Sequence, residues 1–350
     1  MAFILRLKFF FQKCVFSPWH NQNKFCFCLF GLSKTLIFIR CYEKIYRKWQ
    51  LVKGWQSAQQ HAKKKDFGES HNKKEKIKAT NLTFAKIFFM RYKLTIEYDG
   101  SRYAGWQVQK GERTIQGAFF DACKKVFGET RFELFGSGRT DAGVHALGQV
   151  AHLEVEKKIS TERLMLSLND NLPYDINILS AEEANPKFHA RYDAVERSYI
   201  YLISKRRTAF GKSNVWWVRD PLNVEFMQNA ANAMKGKHDF SSFTDKKAET
   251  TSMLVNITGI DIHETNDLIA IHITGSHFLW KMVRRMVGVL VEFGRGNLTM
   301  VDMDTMLDAY SSVPAKLTAP AAGLYLERVY YKGERTVRGA QLVPQLLRLK

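Results

Sequence analysis

The chain has 350 residues, 45% hydrophobic and 25% charged, an ordinary globular composition that permits one large core or two joined ones. Its formal charge is +19, but residues 1–89 hold 18 Lys and Arg against four acids, +14, which leaves +5 for residues 90–350. Total charge therefore cannot serve as evidence for nucleic-acid binding by the main body. Four of the five cysteines (Cys14, Cys26, Cys28, Cys41) lie in the first 41 residues and only Cys123 follows, which excludes a disulfide framework in the remainder and suits a reducing cytoplasm.

Residues 1–89 read as an atypical extension, basic and Phe-rich, with no sustained periodicity after about residue 40. A secretory signal lacks its apolar core followed by a small-residue cleavage site. A membrane anchor would have to use FCFCLFGLSKTLIFI, 15 residues with Lys34 inside, short of the ~20 that a span requires. The Lys-rich tract 63–78 fits an RNA-binding tail or a solvated disordered segment. The favoured expectation is a mis-assigned start, with AT-rich upstream DNA read in frame before a natural start at Met90.

From Met90 the pattern is regular. Alternation over Tyr92–Tyr98 predicts a strand ending at the turn signal Asp99-Gly100. Thr114 precedes a helix pattern that Gly128 ends. Strands are expected at Phe132–Phe135 and Gln149–Val155, a short helix from Thr161, and a strand near Ile176–Leu179. A second set follows: strand Arg197–Ile203, helix Val224–Met234, strands Val255–Ile262 and Leu268–Ile273, helix Phe278–Phe293, helix Val301–Tyr310 and strand Leu324–Tyr331. The order predicts an α+β fold: two similar subdomains, 90–195 and 196–331, whose antiparallel sheets join around a central cleft with helices on the outer faces, and a tail at 332–350.

Chemistry concentrates in GSGRTDAGVHALGQ, where glycines surround Arg139, Asp141 and His145 between two strands. Such a loop can carry a carboxylate into a cleft. It is not a dinucleotide fingerprint, because Asp141 stands where the third Gly belongs, and GKS at 211–213 is no phosphate loop, because Arg206 holds the first Gly position. His145 and His152 lack partners at metal-ligand spacing.

Taken in order, LTIEYDGSRYAGWQ, GRTDAGVHALGQ, FHARYDA with RSYIY, FLWKMVRRMVG and GLYL resemble the tRNA pseudouridine synthase A family over residues 90–331. That resemblance implies isomerisation of uridine to pseudouridine at positions 38 to 40 of the tRNA anticodon stem-loop, without metal or organic cofactor, by a cytoplasmic homodimer that is not attached to a membrane. It makes Asp141 the nucleophile or the group that abstracts a ribose proton; a carboxylate is ionised at neutral pH and can attack. In an apolar cleft a carboxylate needs a cation to stay ionised, and the resemblance assigns Arg284. Helical spacing groups Lys281, Arg285, Gly288 and Glu292 as a solvent stripe, with Arg284 at its apolar border. Tyr199 shares a strand face with Arg197 and Tyr201, and the resemblance packs it on the target uracil. Arg139 is implied to displace the flipped base, since a guanidinium stacks on bases and bonds phosphates. Tyr103, Trp106, Gln107, His145, His189, Arg191 and Arg197 match the family as RNA-contacting positions, and Leu324 with Leu326 as pocket walls.

Overall fold

A computed structural model describes residues 89–245 and 252–334. The expectations for residues 1–88 and for 335–350 lie outside that range.

Ten strands form one sheet: β1 (Met90–Tyr98), β2 (Phe132–Gly136), β3 (His145–Val155), β4 (Ile176–Glu183), β5 (Ala194–Ser204), β6 (Trp216–Trp217), β7 (Gly236–Asp239), β8 (Leu254–Glu264), β9 (Leu268–Gly275) and β10 (Leu324–Tyr331). The order is β4-β1-β3-β10-β5-β9-β8-β7, with β2 on β3 and β6 on β5. Every pairing is antiparallel except β10 with β3 and β5 with β6. The helices are α1 (Ile115–Phe127), α2 (Thr161–Asn169), α3 (Val224–Ala233), α4 (Met282–Gly294), α5 (Met300–Asp308) and α6 (Val313–Lys316). The α+β class is as expected. The sheet, however, is continuous, because the last strand inserts between β3 and β5.

Local chemistry accounts for most of these elements. The Thr114 side chain accepts the Gly117 N–H at 3.2 Å and starts α1, which ends on Gly128 at φ +60° with Lys124 and Lys125 in the last turn. One buried cluster, including Tyr92, Leu94, Phe119, Leu153 and Leu164, joins β1, β3, α1 and α2. A second, including Tyr201, Ile271, Ile273, Met286 and Leu290, joins β5, β9 and α4. β5 keeps the predicted alternation but is buried on both sides beyond Tyr199: Tyr201 enters the second cluster, while Ile200 and Leu202 form a third with Tyr325. A central strand between β10 and β9 has no solvent face to offer.

The predicted solvent stripe on α4 is corrected. Arg285 is 2% exposed and pairs with Asp245, and Gly288 is buried. The segment after α6 covers that side so closely that a Cβ on Gly288 would lie 1.5 Å from the Leu317 carbonyl oxygen. Gly288→Ala must push that backbone away, and a loss of about 3 kcal/mol is expected. Chemical denaturation checks it; an unchanged midpoint would show that the segment yields freely.

Candidate active site

Residues 137–144 link β2 to β3 and carry Asp141. β3 begins at His145, four residues before the expected start, so this loop is short. It is pinned from three directions. Tyr98 of β1 shares a 2.8 Å hydrogen bond with the Thr140 hydroxyl. Gln149 of β3, fully buried, accepts from Ser137 Oγ at 2.6 Å and donates to the Gly138 carbonyl at 3.2 Å. The Tyr103–Gln107 segment binds it through the backbone: Trp106 N–H donates to the Thr140 carbonyl at 3.1 Å and Gly143 N–H to the Tyr103 carbonyl at 3.2 Å. Gly105, at φ +99°, lets the two segments approach; a Cβ there would sit 2.5 Å from the Thr140 oxygen.

Asp141 opens into a cleft of about 400 Å³ whose lining includes Arg139, Arg191, Arg197, Tyr199, Arg284, Leu324 and Leu326. Arg284 Nη1 lies 3.6 Å from Asp141 Oδ2, an ion pair rather than a hydrogen bond. The guanidinium is aimed by Nε–H, which donates to the Ala319 carbonyl at 2.7 Å, while Ala319 N–H returns a 3.0 Å bond to the Arg284 carbonyl. Asp141 Oδ1 accepts the Trp280 indole N–H at 3.1 Å. Both carboxylate oxygens therefore have partners, and the carboxylate keeps 27% of its side-chain surface open to the cleft.

Trp280 is a residue that sequence reasoning missed. The helical pattern was expected to run from Phe278, yet α4 starts at Met282, and Lys281 before it has φ +61°. Lys281 is the sole non-glycine with positive φ among the described residues. A left-handed residue costs about 1–2 kcal/mol. Here it turns 277–281 out of the helix to line the cleft. The Lys281 ammonium lies 4.2 Å over the Trp280 ring. The available signal was an aromatic residue beside basic ones in FLWKMVRRMVG.

Tyr199 meets Phe278 edge-on at 5.0 Å. Burial pushes its phenol up to about 12, with Arg197 opposing and Asp141 adding, so it keeps its proton at neutral pH. Arg197 donates to the carbonyls of Ala194, Ser276 and Arg191 at 3.0 to 3.1 Å. Its guanidinium ties three segments together at the cleft wall.

The remaining predicted positions fall outside the cleft lining. Tyr103 and Trp106 are buried beneath the Asp141 loop, Tyr103 bonding Asp175 and Arg113. Gln107 donates to Gln116 Oε1 at 2.7 Å. His145 is 1% exposed, with Nδ1 accepting from Gly100 N–H at 3.1 Å and Nε2 3.0 Å from the Ser213 carbonyl. Burial lowers its pKa, opposed by the Asp99 carboxylate 3.1 Å from Nδ1. His189 accepts the Arg191 N–H at 3.1 Å and meets His152 edge-on at 4.7 Å. Tyr103, Trp106 and His145 are buried, whereas Gln107 and His189 are half-buried. Among the described residues no group of three or more His, Cys, Asp or Glu is arranged to hold a metal ion, and no helix is long and apolar enough to cross a membrane.

Burial brings His152 down to about 4, with His189 and Arg91 adding to it, and its Nδ1 accepts the Ala190 N–H at 3.1 Å. Protonation would destroy that acceptor. The folded pKa lies below the free value of 6.5, so the folded state binds fewer protons between them. Stability is complete above about pH 6.5 and falls as pH drops toward 4, by up to roughly 3 kcal/mol. In His152→Asn the amide oxygen can accept the same N–H at any pH, and melting temperature should fall less over that window.

A family model described as tRNA pseudouridine synthase matches residues 94–193 and 230–332. The chain is 42% identical over 244 residues to tRNA pseudouridine synthase A of Afipia carboxidovorans, covering 69% of this chain and 99% of that protein. Proteins of the same name from Xanthobacter autotrophicus and Limosilactobacillus fermentum are each 40% identical, over 69% of this chain and 99% and 96% of theirs. A crystal structure of an unknown protein from Galdieria sulphuraria, at 14% identity and a TM-score of 0.17 over 60% of this chain and 94% of that one, bears on neither fold nor function. The family model matches more than half of the chain and these synthases are 40 to 42% identical to it over nearly their own full length, so the chain belongs to the tRNA pseudouridine synthase A family.

Proposed function

We propose that this chain isomerises uridine to pseudouridine at positions 38, 39 and 40 of the tRNA anticodon stem-loop, with Asp141 as nucleophile and the target base flipped out of the stem. As a member of its family the chain is a tRNA pseudouridine synthase, an isomerase. The observation that carries the finer reading is Asp141 itself, open to a cleft and held between Trp280 and Arg284 beside Tyr199.

The reaction conserves every atom of the uridine. The bond from ribose C1′ to N1 breaks, the uracil turns, a bond from C1′ to C5 forms, and the C5 proton moves to the freed nitrogen. Asp141 fits either attack on C1′ or removal of a ribose proton. Arg284 opposes the negative charge, and Tyr199 packs on the uracil with its proton in place. Extrusion of a paired base costs a few kcal/mol. Arg139 is exposed on the cleft edge two residues before Asp141, where a guanidinium plane can fill the vacated stack. Arg191 offers a second cation for phosphate and Leu324 an apolar wall. This reading includes halves at 90–195 and 196–331, a cytoplasmic homodimer with one tRNA across both subunits, and no cofactor.

Incubation of the protein with unmodified tRNA transcripts, followed by mapping of pseudouridine, tests the proposal; modification confined to other positions would overturn the site assignment. Tyr199→Phe keeps the ring and loses the hydroxyl. Its kcat is expected to fall by about 10²-fold with KM within a few-fold, whereas Tyr199→Ala should raise KM as well. Equal effects of both on KM would remove the stacking role.

A further inference from the structure

We propose that Trp280 is a positioning residue for the reaction: its indole N–H anchors Oδ1 of Asp141 and leaves Oδ2, beside Arg284, as the oxygen that reacts. The inference rests on the proposed function, in which Asp141 is the reacting carboxylate, and gives its two oxygens different roles.

The two oxygens are held unequally. Oδ1 accepts the Trp280 indole N–H at 3.1 Å, within hydrogen-bond range, whereas Arg284 Nη1 lies 3.6 Å from Oδ2, outside it. Arg284 therefore brings charge to Oδ2 without taking one of its lone pairs. On either route one carboxylate oxygen must give an electron pair: to ribose C1′, as the C1′–N1 pair passes to the uracil, or to a ribose proton. That pair returns to the oxygen when C5 bonds C1′ or when the proton is given back. The terminal torsion of an Asp side chain is broad, and 27% of this side chain's surface is open to the cleft. An unanchored carboxylate would turn through many orientations, few of which aim Oδ2 at the sugar. A bond to Oδ1 removes that freedom before substrate arrives, and reactive geometry tolerates little error.

An anchor must itself be held, and Trp280 is 39% exposed. Met282 N–H donates to the Leu279 carbonyl at 3.1 Å and closes a four-residue turn with Lys281 in third place, at φ +61° and ψ 3°. Such angles favour glycine or asparagine at that position. Lysine bears a backbone cost there and brings a side chain that glycine lacks. Its ammonium lies 4.2 Å over the Trp280 ring and 3.9 Å from Asp245 Oδ2. Asp245 pairs in turn with Arg285, which is 2% exposed on α4. The indole thus has a cation tethered to the helix over its face and the Asp141 carboxylate at its N–H. This chain of contacts gives the strained turn a purpose: it aims Trp280.

The test uses the full chain and unmodified tRNA transcripts. Trp280→Phe keeps a ring without the donor, and replacement of Trp280 by benzothienylalanine, with sulfur in place of the N–H, keeps both rings. In each protein single-turnover pseudouridine formation is expected to fall about tenfold, and in the benzothienylalanine protein tRNA Kd should stay within twofold and the melting temperature unchanged. The indole proton resonance of Trp280, identified by its absence from Trp280→Phe, should move upfield in Asp141→Ala, where its acceptor is gone. An accepted hydrogen bond also draws electron density from a carboxylate, so a normal or faster rate in the benzothienylalanine protein would overturn the role and show that the N–H only shields Asp141. A resonance unmoved in Asp141→Ala would overturn it as well. A normal rate in Asp141→Ala would sink the proposed function instead, and the resonance is read without turnover.

Discussion

Asp141→Ala is expected to lower pseudouridine formation by at least about 10³-fold while the protein folds and binds tRNA as before. The loss follows from removing the one carboxylate that the cleft holds between an indole N–H and a guanidinium, a group for which no neighbour in the lining can substitute. Folding should survive because the loop is held by its backbone and by Tyr98, Gln149 and Trp106, none of which bonds the Asp141 side chain. Binding should be unchanged or tighter, since a negative charge is withdrawn from a cleft lined by Arg139, Arg191, Arg197 and Arg284. Single-turnover assays with a filter-binding control make the distinction. A variant that modifies tRNA at the normal rate would end the assignment.

Arg284→Lys should cost about 10²-fold in kcat, with KM within a few-fold. The charge remains, but lysine offers a compact ammonium in place of a planar fork. Arg284 uses Nε–H to hold the Ala319 carbonyl while Nη1 faces Asp141, a division of labour across two directions that one ammonium cannot reproduce. The lysine must leave either the carbonyl or the carboxylate. Arg285→Lys is the control one residue away: its guanidinium is buried and turned to Asp245, so its effect should appear in melting temperature before kcat. A normal kcat in Arg284→Lys would mean that charge alone suffices.

Much of this was legible in the residues. Thr114 and Gly128 mark both ends of α1 because capping is local chemistry. Strand alternation located β1, β5, β9 and β10 within a few residues, and the glycine-rich run pointed to Asp141. What escaped was decided by distant neighbours. Lys281 adopts a left-handed conformation where helical periodicity predicted continuation, because the 277–281 segment lines the cleft and Trp280 reaches Asp141 from it. Arg285 and Gly288 looked like a solvent face until Asp245 and the segment at Leu317 covered them. Tyr103, Trp106 and His145 matched functional motifs, and only the folded chain shows that all three are buried.

The sequence by itself determined the class of elements, the carboxylate loop and the family, since each depends on residues close together in the chain or on motifs in fixed order. Only the tertiary structure decided that the last strand inserts between β3 and β5 to make one sheet, that Trp280 shares the Asp141 carboxylate with Arg284, and that Ala319 aims that arginine. The physical reason is the same in each case: a hydrogen bond or an ion pair between residues 35 to 143 positions apart depends on where the folded chain brings them, and local periodicity carries no record of that distance.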